Sequence, residues 1–158
     1  MQLENATQQC SQNIVITFTI NNKIILNFKK IILSNKVNFI GSSAFENCES
    51  LKNISLKNGI TKIGSYAFAG CEALESIVIP DTVKTIGEAC FQRCARMTSV
   101  TLGKGLDKTK YVKNNKGVEQ PQGGLGQFAF YFCKNISTVK YNGTTAEFKA
   151  LHIDVSCF

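Results

Sequence analysis

The sequence is poor in tryptophan, proline, histidine and charged residues. It has no tryptophan, two prolines and one histidine, and only 18% of its 158 residues are charged. Hydrophobic residues make up 44% of the chain, which is enough for one compact domain and excludes a disordered segment. No recognisable nucleophile motif accompanies the single histidine, His152. We therefore expect a surface histidine there, and no catalytic residue.

A long hydrophobic run is also missing. A membrane-spanning helix needs about 18 or more consecutive apolar residues, and the longest candidate, Ile14 to Phe28, is interrupted by threonine, asparagine and lysine. The sequence therefore predicts no membrane span. Residues 1–5 lack the basic start and apolar centre of a secretory signal, which leaves two interpretations open: an intracellular protein, or an exported one whose signal lies outside this chain.

Cysteine and positive charge, by contrast, are not scarce. The chain has seven cysteines, many for a reducing compartment and an odd number, so a full set of disulfides would leave one thiol unpaired. Eighteen lysines and arginines against eleven acidic residues give a net charge of +7, which favours anionic partners without indicating a fold.

The strongest pattern is a 23-residue repeat. Similar residues recur at this spacing in seven columns, among them Phe45, Phe68 and Phe91; Cys48, Cys71 and Cys94; Gly41, Gly64 and Gly87; and Ile40, Ile63 and Ile86. A fourth phenylalanine and cysteine, Phe130 and Cys133, follow at a 39-residue spacing, which indicates a 16-residue insertion. No single unit can bury its own apolar columns, so the copies must stack into a solenoid.

Each unit contains three short pieces. Residues 74–80 alternate apolar and polar positions and end in proline, which predicts a strand with one buried face. Residues 83–87 predict a second extended piece that ends at a glycine. Residues 67–71 have helical spacing but are too few for an independent helix, and we predict one helical or 3₁₀ turn there.

The pattern L-x-x-I-x-I-P followed by V-x-x-I-G-x-x-A-F-x-x-C resembles the BspA-like class of leucine-rich repeats, which occurs on bacterial surfaces and in some parasitic protists. The resemblance covers residues 28 to about 141, and residues 141–148 resemble a tail that often follows the last unit, with Phe148 where tryptophan is common. It implies an α+β repeat solenoid: a right-handed superhelix of 23-residue units with short parallel strands and short helical turns. It also implies non-catalytic adhesion to, or recognition of, host or neighbouring-cell proteins.

The ends depart from the repeat, and they suggest how one domain is organised. Residues 1–27 predict two strands joined by a tight turn, which we interpret as a β-hairpin cap over the open end of the solenoid. Residues 28–141 form the solenoid, with the insertion near 107–122. Residues 142–158 form a C-terminal cap or tail.

The cysteine column invites a chemical interpretation, but a structural one fits better. Free cysteine packs as a small apolar residue, and side chains stacked in parallel give poor disulfide geometry although the spacing between units does not exclude a bridge. Cys90 and Cys94 lack a second cysteine or histidine pair for zinc. We expect no metal and no cofactor, and only Cys10 and Cys157, outside the columns, could be reactive or paired.

The first candidate binding surface is the outward face of the first strand of each unit. Small, polar or β-branched residues form two rows there, which suits a protein or a glycan partner: Asn53, Ser76, Ser99 and Thr138 in one, and Ile32, Ser55, Val78, Thr101 and Lys140 in the other. Large aromatic or arginine anchors are absent, so we expect modest affinity, strengthened by many copies on a surface. An unused sheet face would have the same composition.

The second candidate is the inserted segment. It carries an excess of lysine, with a local charge of +3 between residues 103 and 122, and its candidate binding residues are Lys108, Lys110, Tyr111, Lys113 and Lys116. Inserted loops on repeat proteins often determine specificity. A solvent-exposed flexible loop without a binding role would have the same composition. Nucleic acid is not the expected partner, because the loop has one aromatic residue and no arginine.

Three hypotheses about function follow. The first is a surface adhesion protein, the second is an intracellular scaffold that uses the same face, and the third is an enzyme or a binder of anionic ligands that uses the basic insertion. Location separates the first two. Charge reversal in the insertion tests the third.

Overall fold

A computed structural model describes residues 19–20, 23–24, 30–33, 36–108, 110–113, 119–122 and 124–151, and the structural features below belong to these residues. Within them the chain forms thirteen strands of two to four residues and one short helix. The strands are β1 (Thr19–Ile20), β2 (Lys23–Ile24), β3 (Lys30–Ile32), β4 (Phe39–Ile40), β5 (Asn53–Ser55), β6 (Lys62–Ile63), β7 (Ser76–Val78), β8 (Thr85–Ile86), β9 (Ser99–Leu102), β10 (Lys110–Lys113), β11 (Glu119–Gln122), β12 (Gly124–Leu125) and β13 (Thr138–Tyr141), and the helix is α1 (Thr145–Ala150).

Most of these strands lie in parallel sheets built from successive units. One sheet has the order β12-β8-β6-β4, another has the order β13-β9-β7, and β3 pairs with β5. Phe39, Lys62 and Thr85 face one another across the first sheet, so the 23-residue period of the sequence is also the register of hydrogen bonding. The predicted repeat fold with short parallel strands is confirmed.

Two strand pairs have a longer register. Leu125 pairs with Ile86, and Thr138 pairs with Ser99, each across a 39-residue separation. Along the chain, an antiparallel hairpin of β10 and β11 lies between β9 and β12. The stacking therefore resumes after the hairpin with the same partners that a 23-residue unit would have used.

The core is built by the alternation within each strand. Ile77 and Val100 are 2% and 1% exposed, while their neighbours Ser76 and Val78 face solvent. No charged or polar side chain in the described ranges is buried. Each large apolar side chain buried in this way contributes about 1.5–3 kcal/mol, and the buried residues form one continuous cluster along the array.

Phenylalanine forms a continuous stack through the core. The ring centroids of Phe45, Phe68, Phe91 and Phe130 follow one another at 5.2, 5.3 and 5.2 Å, with interplanar angles of 18°, 1° and 5°. The separation is slightly larger than the roughly 4.7–4.9 Å between hydrogen-bonded strands, so the stack follows directly from the spacing of the units. Phe68 and Phe91 have no exposed surface at all.

The segment between the repeated glycine and the repeated cysteine is here called the corner: residues 41–48, 64–71, 87–94 and 126–133. Alternate backbone N–H groups of each corner donate to carbonyls of the next one, as in Tyr66 to Glu88 at 2.9 Å, Phe68 to Cys90 at 2.8 Å and Gly70 to Gln92 at 2.7 Å. The corners thus continue the inter-unit hydrogen bonding of the sheets. This uses backbone groups that would otherwise be buried without a partner.

The helical or 3₁₀ turn predicted for the corner is wrong. Residues 64–71 form turns without a helix, and two residues in each corner have positive φ, such as Tyr66 at 58° and Gly70 at 71°. A left-handed residue at every fourth position prevents a helix from forming. The prediction rested on the apolar spacing of Phe68 and Cys71. A series of turns with left-handed residues buries these two side chains as well as a helical turn would.

The repeated glycine is required by a close approach of two backbones. A Cβ atom added to Gly64 would lie 2.5 Å from the backbone nitrogen of Ser42, and the Gly64 N–H donates to the Ile40 carbonyl at 2.8 Å. Neither backbone can move without breaking this hydrogen bond. Any side chain at this position would therefore separate the two units.

The two ends of the described chain have structure of their own. At one end β1 pairs with β2, with Thr19 facing Ile24. At the other, α1 begins with a capping box, and the ring of Phe148 lies 5.4 Å from that of Tyr141. The assignment of these ends as caps, and the division at residues 27 and 141, stay predictions.

Replacing Phe68 with alanine should lower the free energy of unfolding by about 3–5 kcal/mol, because it opens a gap in the middle of the phenylalanine stack. Chemical denaturation followed by circular dichroism measures the loss. Phe39→Ala is a matched control, since Phe39 is 40% exposed, and it should cost less than about 1 kcal/mol. Equal losses for the two variants would contradict the stack as a source of stability.

Candidate functional site

The predicted rows on the strand face are present as neighbouring residues of the sheet β13-β9-β7. Ser99 lies between Ser76 and Thr138 in one row. In the other, Thr101 lies between Val78 and Lys140. Because the strands are parallel and in register, side chains of the same row point to the same side of the sheet. The face is thus continuous over three units.

Asn53 and Ser55 lie on β5, which pairs with β3 and not with β7. Both are exposed. Backbone hydrogen bonds outside the strands still join the two units, with Glu75 N–H donating to the Lys52 carbonyl at 3.4 Å and Ala73 N–H to the Glu49 carbonyl at 3.1 Å. The sequence predicted unbroken rows, whereas the ladder is interrupted between β5 and β7.

Hydroxyl and methyl groups make up most of the strand face. Among the described residues, the hydroxyls of Ser76, Ser99, Thr101 and Thr138 form no hydrogen bond with the protein, so all are available to a partner. Val78 is 59% exposed and adds an apolar contact on β7, at the edge of this sheet. Lys140 at its end is the one charged group in these rows of β7, β9 and β13. Such a surface can donate, accept and pack, but it offers no base to activate a hydroxyl.

The inserted segment leaves the array from the other sheet. Leu106 is buried, and the Asp107 N–H donates to the Lys84 carbonyl at 2.9 Å, while Gly124 returns beside Thr85. Both ends of the excursion therefore lie next to β8. Of the predicted residues, Lys108 is exposed just before the hairpin, Lys110, Tyr111 and Lys113 are on β10, and Lys116 lies outside the described residues.

The two predicted groups of binding residues therefore belong to different sheets. The rows of Ser76 and Val78 are on the sheet that contains β7, whereas the hairpin starts and ends beside β8. The structure does not bring them together at the base of the insertion. We treat them as separate candidate sites, and the binding role of each stays a prediction.

A polar cluster that the sequence analysis missed joins the tail to the array. One carboxylate oxygen of Asp81 accepts hydrogen bonds from the Lys104 backbone N–H and from the Asn142 side-chain amide, both at 3.1 Å. Glu147 accepts from the Thr144 N–H at 2.7 Å, which completes the capping box of α1. The spacing Thr144-x-x-Glu147 is a recognised helix-start signal and would have predicted this helix.

These hydrogen bonds favour the charged form of both carboxyl groups. The Asn142 amide and then the Lys104 N–H hold the pKa of Asp81 below its ordinary value of 3.8. The Thr144 backbone N–H, followed by its hydroxyl, lowers the pKa of Glu147. Both groups therefore remain ionised at neutral pH and position the tail, and neither has the raised pKa typical of a general acid.

The described cysteines are buried and free, as predicted. The thiols of Cys71, Cys94 and Cys133 donate to the carbonyls of Phe45, Phe68 and Phe91 of the preceding unit at 3.1, 3.3 and 3.0 Å. Burial raises the pKa of the Cys90 thiol far above its usual range, and the hydrogen bond with the Cys48 thiol, together with burial, does the same for the pKa of Cys71. Cys71 and Cys90 therefore stay in the thiol form, whereas the reactive form of cysteine is the thiolate. The hydrogen bond with the Cys94 thiol lowers the pKa of Cys133, so burial is what protects that side chain.

Other predicted residues lie elsewhere. His152, Cys10 and Cys157 are outside the described residues. No group of three or more histidine, cysteine or acidic side chains within the described part is placed to hold a metal ion. No helix there is long and apolar enough to cross a bilayer.

The geometry of stacked 23-residue units with short parallel strands agrees with a family model. The model described as "BspA type Leucine rich repeat region (6 copies)" matches residues 19–116, more than half of the chain. The chain belongs to the BspA-type leucine-rich repeat family. The matched range begins inside the stretch 1–27 that we predicted to be a cap, and it ends within the insertion.

Three solved structures are similar to this BspA-type chain. A leucine-rich repeat protein from Bacteroides ovatus is 26% identical with a TM-score of 0.59, over 81% of this chain and 32% of that one. A leucine rich cell surface protein from Faecalibacterium prausnitzii is 19% identical (TM-score 0.49, 81% and 36% covered), and a leucine-rich repeat protein from Eubacterium ventriosum is 23% identical (TM-score 0.49, 72% and 32% covered). No curated protein matches.

The chain thus spans about a third of the length of the solved proteins that it matches. Leucine-rich repeat proteins in general bind other proteins.

The five core thiols should react with a chromogenic disulfide reagent at pH 8 only as fast as the protein unfolds. Each is buried, and a thiol must be exposed and ionised to react. Comparing the reaction rates of native and guanidinium-unfolded protein measures this. The number of thiols that react in guanidinium is seven if Cys10 and Cys157 are free and five if they form a disulfide. Rapid reaction of more than two thiols in the native protein would contradict a closed core.

The carboxyl group of Asp81 should titrate with a pKa below 3.8 in the native protein. Since its folded pKa is lower than its unfolded pKa, the contact with Asn142 stabilises the fold above about pH 4 and is lost as the pH falls through the folded value. Carbon-13 NMR of the carboxyl group measures the midpoint. Asn142→Ala should raise it toward 3.8 and Asn58→Ala, in an exposed turn, should leave it unchanged; a native midpoint at or above 3.8 would contradict the hydrogen bonding.

Proposed function

We propose that this chain is a non-catalytic recognition protein that binds another protein through the strand face, as an adhesion molecule at a cell surface. The partner is a surface protein of a host or neighbouring cell. The observation that supports this proposal is the pair of outward-facing rows of Ser76, Ser99 and Thr138 and of Val78, Thr101 and Lys140, whose hydroxyls have no partner among the described residues.

The proposal includes the shape of the array. The 23-residue register, applied from unit to unit, supports a right-handed solenoid in which the strand faces form one long surface. Parallel β-α or β-turn crossovers are right-handed in nearly all proteins. An elongated surface of this kind suits contact with a protein, because a partner can pair with several units at once.

The composition of the face supports modest affinity for each contact. Tyrosine, tryptophan and arginine supply most of the energy in protein interfaces, and the rows on β7, β9 and β13 contain none of them. Many copies on one surface would raise the overall affinity by about 10²–10⁴. An intracellular scaffold that uses the same face is the alternative, and a glycan is the alternative partner.

Multivalent display tests the proposal. The biotinylated chain is assembled on streptavidin, and its binding to cultured epithelial cells is measured by flow cytometry. A Ser76→Arg and Thr101→Arg double variant places two large charged side chains on the face and should reduce binding at least about tenfold. Pretreating the cells with trypsin should abolish binding of the unmodified chain, whereas glycosidases should not.

The control variant introduces the same two arginines at polar positions on other surfaces. Ser42→Arg with Asn58→Arg alters two exposed positions outside the strand face and should change binding less than twofold, a loss far smaller than one hot-spot residue gives. Thermal unfolding verifies that both variants fold. Equal binding by the face variant and the control would contradict the strand face as the binding site, and binding that survives trypsin would contradict a protein partner.

A further inference from the structure

Three exposed aromatic side chains form a patch on the fourth corner. Phe128, Tyr131 and Phe132 are 38%, 38% and 48% exposed. The ring of Tyr131 lies 5.5 Å from that of Phe128 and 4.3 Å from that of Phe132, centroid to centroid. The ring of Tyr131 therefore contacts the other two, and all three are exposed to solvent. These three residues are here called the aromatic corner.

The repeat itself does not require these aromatic residues. The equivalent positions in the first three corners hold mostly small or polar residues: Ser43, Tyr66 and Ala89 for Phe128, Glu46, Ala69 and Gln92 for Tyr131, and Asn47, Gly70 and Arg93 for Phe132. All of these units stack with the same hydrogen bonds. The aromatic side chains of the fourth corner therefore add nothing that the stacking needs.

Two of the three aromatic residues also have an unfavourable backbone. Phe128 and Phe132 have φ values of 57° and 61°, a region that glycine and asparagine adopt readily and bulky residues rarely do. Asn47 and Gly70 occupy the position of Phe132 in earlier corners at similar φ. At position 132 the fold would thus be better served by asparagine or glycine, and the phenylalanine there has a conformational cost.

Positively charged residues lie on this corner and on the unit next to it. The Lys134 ammonium lies 5.6 Å from the centroid of the Phe132 ring, and the Arg93 N–H donates to the Tyr131 carbonyl at 2.9 Å, which places Arg93 on the adjoining unit. Arg96 is exposed on that same unit. None of these three cations forms an ion pair with a carboxylate in the described part of the chain.

This charge is local to the end of the array that includes the third and fourth corners. The first two corners and the residues that follow them have mainly acidic side chains at their surface, namely Glu46, Glu49, Glu72 and Glu75. Lys52 is the one exposed cation at the equivalent positions of the first two units, and Glu88 is an exposed acid in the third corner, so the excess of cations is on the side of the third and fourth corners. Clustered cations beside exposed aromatic rings are complementary to an anionic partner with an apolar group.

We propose that the aromatic corner binds an acidic polypeptide segment, with an apolar side chain of that segment against Phe128, Tyr131 and Phe132 and its carboxylates paired with Arg93, Arg96 and Lys134. Tyrosine, phenylalanine and arginine are the residue types enriched in the centres of protein interfaces. The patch is distinct from the strand face, so the chain has two binding surfaces. On this proposal, Phe128 and Phe132 keep their unfavourable positive φ because their side chains bind the partner.

A peptide array tests the proposal. Ten-residue peptides with zero to four glutamates, each with or without one leucine or phenylalanine, are immobilised and probed with the fluorescently labelled chain. Binding should rise with the number of glutamates and should require the apolar residue. The tightest peptide is then titrated in solution by fluorescence anisotropy at low and at high salt, and added salt should weaken it.

The variants separate binding from folding. Phe132→Asn restores the residue type of the first corner, so it should raise the midpoint of thermal unfolding and weaken the peptide at least about tenfold, a typical hot-spot loss. Arg93→Glu should also weaken the peptide. Tyr66→Asn is the matched control, since Tyr66 is 38% exposed with a φ of 58° but lies in the acidic half, and the peptide should bind it within twofold.

Three results would overturn the proposal. Equal binding to Phe132→Asn and to the unmodified chain would show that the rings are not used. Heparin fragments or an oligonucleotide that bind as tightly as the best peptide, without an apolar group, would assign the corner to polyanions in general. Concentration-dependent self-association that Phe132→Asn abolishes would assign it to a second copy. The strand-face variant Ser76→Arg with Thr101→Arg should bind the peptide normally, which separates a failure here from a failure of the adhesion proposal.

Discussion

Each unit of this protein is held to the next by backbone hydrogen bonds, at a spacing that leaves room for one layer of side chains and no more. Residues one 23-residue period apart therefore occupy equivalent positions, and each column must be filled by a residue that can stack on its own kind. Phenylalanine does so as parallel rings, cysteine by donating its thiol to the preceding unit, and glycine by leaving space for two backbones to meet. The core and the corners follow from this one constraint.

The same constraint divides the surface into strips with different freedom. Positions that point inward are fixed by the column, whereas positions that point outward on β7, β9 and β13 or on the corners can differ from unit to unit. Function in a repeat protein of this kind is therefore expected where neighbouring units differ, since the differences are what the stacking leaves unexplained. The aromatic corner is such a place. The strand face is more uniform, and its capacity to bind a partner comes from its continuity over three units.

The columns could be predicted from the sequence because a 23-residue period is visible without any structure. It predicted the pairing of Ile63 with Ile86, the phenylalanine stack and the burial of the cysteines. The corner was mispredicted, since spacing alone cannot distinguish a helical turn from an alternating turn with left-handed residues such as Tyr66. The contact of Asp81 with Asn142 spans 61 residues and involves positions outside the columns, so no local pattern signals it.

The hairpin of β10 and β11 interrupts the array without disturbing it, because Gly124 rejoins β8 at the position that the register assigns to it. The conformational entropy of closing such an excursion grows only with the logarithm of its length, about 0.6 kcal/mol for each doubling. A unit can therefore acquire a long segment at this point for little loss of stability. The edge of β8 is thus a port through which this chain leaves and re-enters the array while the columns that hold the units together stay unchanged.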